Sequence, residues 1–155
     1  MGKFAMLKRA QSLNGCARID LVAGVLVRFF VGITDRDWFD HLSRVDGLDE
    51  ANFWQPSGNQ QFRALGAGEP FLFKLHSPDD YIVGGGFFSH FTILPTSIVW
   101  KAFGEKNGAR TEEEMRTRIA RYRRVANLST ADDYEIGSVA SGTILSLLHW
   151  HPASE

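Results

Sequence analysis

The sequence predicts an α+β fold: a strongly bent, partly closed antiparallel β-barrel of about five or six strands, flanked by about three helices. Three stretches carry this expectation. The first is a hairpin over residues 69–94. Phe71, Phe73 and Leu75 alternate with Leu72, Lys74 and His76, so one face of the strand is fully apolar. Ser77-Pro78-Asp79-Asp80 supplies turn chemistry, and Tyr81-Ile82-Val83 begins the return strand. Gly84-Gly85-Gly86 then interrupts that strand before Phe87-Phe88 resumes it. Three glycines inside a strand suit a bulge, a barrel corner, or the close approach of another backbone or a ligand. The second stretch, 27–33, is β-branched and aromatic and reads as a strand. The third, 111–124, reads as a helix with Thr111 and Glu114 as its capping box, acids in its first turn and arginines in its last.

The remaining elements follow in order. Residues 1–26 have a basic start and a short apolar patch at 21–27. That patch is too short to span a membrane, and Arg18 and Asp20 crowd it. A short helix or an extra arm is expected there, with Val27 as an alternative start. Residues 34–45 predict a helix capped by Thr34 or Asp35, burying Trp38, Phe39, Leu42 and Val45 and stopped at Gly47. Residues 49–58 predict a short strand and a Gln-Pro-Ser-Gly turn, and 65–69 a tight turn. Pro95 opens a helix over 95–103 with Ile98, Val99, Ala102 and Phe103 pointing inward. In the helix at 111–124, Met115, Ile119 and Tyr122 form the buried stripe, and the arginines at 116, 118, 121, 123 and 124 make a basic end. That end reads first as a solvated face and second as a phosphate contact. Residues from 132 begin another strand, and the tail carries His149 and His151, too few ligands for a metal site.

Composition bounds the function classes. At 155 residues the chain is long enough for one domain with a core. Net charge is −1, which does not exclude nucleic acid, because a local basic face is enough. The single Cys16 permits neither an internal disulfide nor a cysteine zinc site, and a cytoplasmic protein is expected. No Walker loop, nucleophile elbow or metalloprotease helix is present, and no cofactor or metal is expected.

The residues that carry chemistry are polar groups beside aromatics. Asn52, Phe53, Trp54 and Gln55 place two amides and two aromatics within four positions. A base-reading pocket needs such a set, rings to stack on and amides for the base edge. A core tryptophan with polar turn neighbours is the plainer reading. Lys74 and His76 share a strand face: lining a cleft they meet a phosphate or a base, and facing water they are ordinary strand residues. Lys106 and Asn107 sit in a loop with two glycines.

The segment 27–137 resembles the N-terminal module of bacterial HNH and restriction endonucleases. The resembling stretches are RFFVGITDRDWF, NFWQPSG, FRALGAGEPFLFKLHSPDDYIVGGGFF, ILP and AFGEKNGA. The order of turn-Gly-Glu, apolar strand, turn and Ile-Val-Gly-Gly-Gly also resembles PUA-like barrels, including EVE-type domains that read modified bases. The resemblance implies a domain at 27–137, an extra arm at 1–26 and an atypical tail at 138–155. It further implies a module that binds duplex DNA and flips a modified base into a pocket, targeting an HNH nuclease domain expected in full-length relatives. Asn52, Trp54, Gln55, Ser57, Lys74, His76 and Phe88 would form the base pocket. Lys101, Lys106, Asn107 and Arg110 would contact the DNA backbone. No paired-cysteine scaffold or His-Asn-His pattern follows residue 125, so this chain alone is expected not to cleave DNA. An RNA-binding PUA-like domain and a small-molecule barrel are the alternatives.

Overall fold

The structure, a computed structural model, describes residues 15–20, 26–56, 61–123 and 132–145. Ser57, Arg124, His149 and His151 lie outside them. The described chain is α+β. Its strands are β1 (Gly15–Asp20), β2 (Leu26–Thr34), β3 (Glu50–Gln55), β4 (Pro70–Leu75), β5 (Ile82–Pro95) and β6 (Glu135–Leu145). Its helices are α1 (Arg36–Leu42), α2 (Thr96–Phe103) and α3 (Glu112–Arg123), with a 3₁₀ turn at Gly104–Asn107 between the last two. None of them is long and apolar enough to cross a membrane.

The strands form one sheet in the order β1-β2-β4-β5-β6-β3. The expected antiparallel sheet is in fact mixed, because β2 and β4 run parallel, with Phe30 opposite Phe71. The reason is connectivity: α1 and β3 lie between the two strands in sequence, a path long enough for a parallel return. No pairing among the described residues joins the edge strands β1 and β3, so the sheet is open. It nevertheless curls. The Phe53 ring of β3 lies 5.1 Å from the Phe71 ring of β4, and a side chain at Gly32 of β2 would meet both rings.

The hairpin makes the bend. β5 pairs with β4 through its first half and with β6 through most of its length, with irregularities between Gly85 and Phe87 and between Phe88 and His90. A Cβ at Gly85 would stand 2.7 Å from the Phe71 carbonyl oxygen. The glycine run is therefore a corner where neighbouring backbones approach closely. Phe71, Phe73, Leu75 and Val83 fill the concave side with Trp38 from α1. Phe29 and Val31 form a small second cluster with Leu72 and Ile82.

Two expected boundaries fall inside the sheet. β1, from the expected arm, pairs with β2, and β6 runs through residue 137 to occupy the place between β5 and β3. α2 is rotated from its expected phase: Thr96 and Val99 are buried and Trp100 and Phe103 pack on the core, while Ile98 is 43% exposed and Ala102 is exposed. The helix continues directly from β5, and Thr96 is fixed inward where its hydroxyl donates to Asp133 at 3.0 Å. In α3, Met115 and Ile119 are buried but Tyr122 is 43% exposed. Its arginines are mostly bound: Arg116 to Glu112 and Asp133, Arg118 to Glu114 and the Gly108 carbonyl, Arg123 to the Pro56 and Glu135 carbonyls.

Candidate functional site

The curl leaves a cleft of about 270 Å³ where the end of β2 faces the end of β3. It is lined by Ile33 and Thr34 of β2, Asp35 and Trp38 at the start of α1, 53–56 at the end of β3, His76 after β4, and Tyr122 of α3. Each group is held there by the fold. The His76 backbone N–H donates to the Thr34 carbonyl at 3.2 Å, which carries the β2–β4 pairing one residue further and delivers His76 to the rim. Arg36 opens α1 and pairs with Asp79 of the β4–β5 turn at 2.6 Å, fixing that turn beside the cleft. Trp38 stands edge-on to Phe53 and Phe73, with centroids at 6.2 Å and 5.0 Å. Gly108 packs directly against the Trp38 indole, in a left-handed conformation with φ +73° that favours glycine. Trp54 is buried, and its Nε1–H donates to the Asn107 carbonyl at 3.1 Å.

Asp35 is the only carboxylate lining the cleft among the described residues. It stands at the N-cap position of α1 without capping the helix through its side chain. Its Oδ1 accepts instead from the Tyr122 hydroxyl, across 87 residues of sequence. Burial and this bond to Asp35 push the Tyr122 phenol well above its usual range. The Tyr122 ring lies 5.9 Å from that of Trp54, inclined at 57°. Among the described residues the cleft thus offers four aromatic rings, one carboxylate, one amide, two hydroxyls and one imidazole. Its chemistry suits a planar ligand with hydrogen-bonding edges.

Of the base-pocket residues expected from sequence, Trp54, Gln55 and His76 line this cleft. Asn52 does not. It is fully buried, donating to Asn107 Oδ1 at 2.8 Å and accepting from the Ser138 hydroxyl at 2.7 Å. Lys74 is buried and paired with Asp80 at 2.8 Å. Phe88 belongs to the core, 5.3 Å from Phe62. Among the expected DNA-backbone residues, Asn107 is interior at 1% exposure, its amide N–H₂ donating to the Gly104 carbonyl at 2.9 Å. Its interior position is a correction to the expected surface role: an amide between two buried partners satisfies them rather than a phosphate. Lys106 is paired with Asp49 at 2.8 Å and Glu50 at 3.6 Å, and Asp49 holds its ammonium above the usual lysine range. Arg110 is exposed and shares Glu114. Lys101 is exposed without an ion pair.

Phe53, named in sequence with its neighbours as part of a base-reading set, also lines the cleft, whereas Thr34, Asp35, Trp38 and Tyr122 were not singled out as site residues by sequence. Asp35, Trp38 and Tyr122 looked like a cap and two members of buried stripes. The one available signal was Tyr122, the only residue of its stripe with a hydroxyl to satisfy. Among the described residues no three His, Cys, Asp or Glu side chains converge as a metal site. No family model matches the chain, and no curated protein matches it significantly.

Proposed function

We propose that this chain reads modified bases in duplex DNA, receiving a single flipped base in the cleft between β3 and α3. The observation that supports this is the lining of the cleft: Trp38, Phe53, Trp54 and Tyr122 surround a space edged by Thr34, Asp35, Gln55 and His76. About 270 Å³ lies at the small end of ligand pockets, roughly 300–1,000 Å³, and suits one heterocycle rather than an extended ligand. Flipping costs a few kcal/mol, and stacking on an aromatic ring returns about 1–3 kcal/mol per base. On this reading the curled sheet is a PUA-like barrel open at the seam where the base enters. The chain is the targeting module of an HNH restriction system, and it does not cut DNA itself.

The test is a fluorescence-polarisation titration with matched duplexes carrying cytosine, 5-methylcytosine, 5-hydroxymethylcytosine or a phosphorothioate link, each at two salt concentrations. Preference for one modified duplex, lost in His76→Ala, supports the reading. Tighter binding to a matched single-stranded RNA moves it to RNA. Metal-dependent nicking by the purified chain would overturn the separation of reading from cutting. One feature favours a second reading, a free planar metabolite. An adjoining pocket that shares Asp35 and Tyr122 with the cleft sets Arg36, Arg118 and Arg121 against Asp35 and Asp37, so it offers little net positive charge to a phosphate backbone. Such a ligand would bind with little dependence on salt.

A further inference from the structure

We infer that Tyr122 and Asp35 form an exchangeable latch on the cleft, and that the latch selects ligands whose ring edge carries an N–H donor. The inference rests on the proposed base-binding role of the cleft and specifies which ring edges it accepts.

A planar ring inserted between two aromatic faces needs about 3.5 Å on each side, or about 7 Å between those faces. Trp54 and Tyr122 are 5.9 Å apart and inclined at 57°, so no ring fits between them as they stand. A ring clasped on both faces by this pair therefore requires one of the two to swing. Trp54 is buried with its Nε1–H bonded to Asn107, and Trp38 is buried against Phe53, Phe73 and Gly108. Tyr122 is 43% exposed, and among the described residues its hydroxyl is tied to Asp35 alone. It is therefore the wall that moves, and moving it breaks the bond to Asp35.

The broken bond sets the selectivity. Among the described residues Asp35 makes no side-chain helix-capping bond and no ion pair. An incoming ring with an amino or imino N–H restores the lost donor, whereas a ring without one leaves the carboxylate unanswered in a partly enclosed cleft. A hydrogen bond to a charged group is worth roughly ten- to a hundredfold in affinity. The same exchange means that a ligand clasped between the two rings first opens the latch, and its apparent affinity is lowered by the closed fraction.

The test compares duplexes carrying 5-methylcytosine with duplexes carrying the same ring without its amino group, 5-methyl-2-pyrimidinone, and adenine with purine, at one mismatched position. Wild type, Tyr122→Phe and Asp35→Ala are each titrated after thermal melting confirms that they fold. Wild type is expected to favour the amino-bearing base at least about tenfold. Tyr122→Phe keeps the ring and removes the latch, so both members of a pair should bind more tightly with their ratio kept. Asp35→Ala should erase the ratio. Weaker binding of both bases by Tyr122→Phe, or a ratio that survives Asp35→Ala, overturns the latch while leaving the base-binding role standing. Failure of wild type and both folded variants to bind any of the four bases overturns both.

Discussion

At the scale of single residues, the polar groups divide by burial into those that hold the cleft and those that face into it. Asn52, Asn107 and Ser138 form a closed chain that ties β3 and β6 to the 3₁₀ turn, and Trp54 hangs from the same Asn107. Removing Asn52 strands the Asn107 Oδ1 acceptor and the Ser138 hydroxyl in the interior. Leaving a buried partner unsatisfied costs about 1–3 kcal/mol, so Asn52→Ala should destabilise by about 2–3 kcal/mol in urea denaturation. His76 is the opposite case. It is exposed on the cleft rim, so His76→Ala should change stability by less than about 0.5 kcal/mol while weakening binding of the ligand. A variant pair with these roles reversed would mean that Asn52 reads the ligand after all. Sequence grouped the two residues together because an amide beside aromatics reads the same whether its partner is a base edge or another amide.

At the scale of elements, legibility followed locality. The β4–β5 hairpin was visible because its alternation, its turn residues and its glycine corner all lie within one short stretch. The corner also makes a sharp prediction. Gly85→Ala would push a methyl to 2.7 Å from the Phe71 carbonyl, and overpacking of this kind costs about 1–3 kcal/mol. Gly66→Ala, whose methyl would meet only Glu69 at 3.7 Å, is the control and should melt close to wild type. The phase of α2 was not visible, because a partner distant in sequence sets it. Asp133 accepts from the Ser97 hydroxyl at 2.7 Å, the Ser97 backbone N–H at 2.9 Å and the Thr96 hydroxyl at 3.0 Å, and also pairs with Arg116. These bonds, Ser97's first, lower the Asp133 carboxyl from 3.8 to about 2. A carboxyl depressed in the folded state stabilises above its unfolded value, and that contribution is lost as pH falls from near 4 to near 2. Asp133→Asn should therefore melt below wild type at neutral pH, with the gap closing across that acid window. A gap that stays constant down to pH 2 would mean the carboxylate's charge contributes nothing.

At the scale of the whole molecule, the cleft is assembled from β2, α1, β3, the residue after β4, and α3, so no window of sequence contains it. Trp54, Gln55 and His76 were legible because they are polar or aromatic in unusual company. Asp35 and Tyr122 were not, because each satisfies a simple local pattern and only the fold brings them together. The charge distribution then decides how such a site can work. Arg28, Arg36, Lys106, Arg110, Arg116 and Arg118 are paired with carboxylates, and Arg121 is the cation of the adjoining pocket without an ion pair. Each phosphate neutralised contributes about −0.9 to the slope of log affinity against log salt. Among the described residues Arg44, Arg63, Lys101 and Arg121 are exposed and outside any ion pair, so at most about four such contacts are available and the slope for duplex binding should be no steeper than about −4. On the proposed reading, non-specific attraction is then modest, and much of the affinity comes from the base in the cleft. Titration of the preferred duplex from low to physiological salt checks this. A slope near −5 or steeper would place the main contact on a basic surface outside the described residues, and would make the cleft an accessory to that surface.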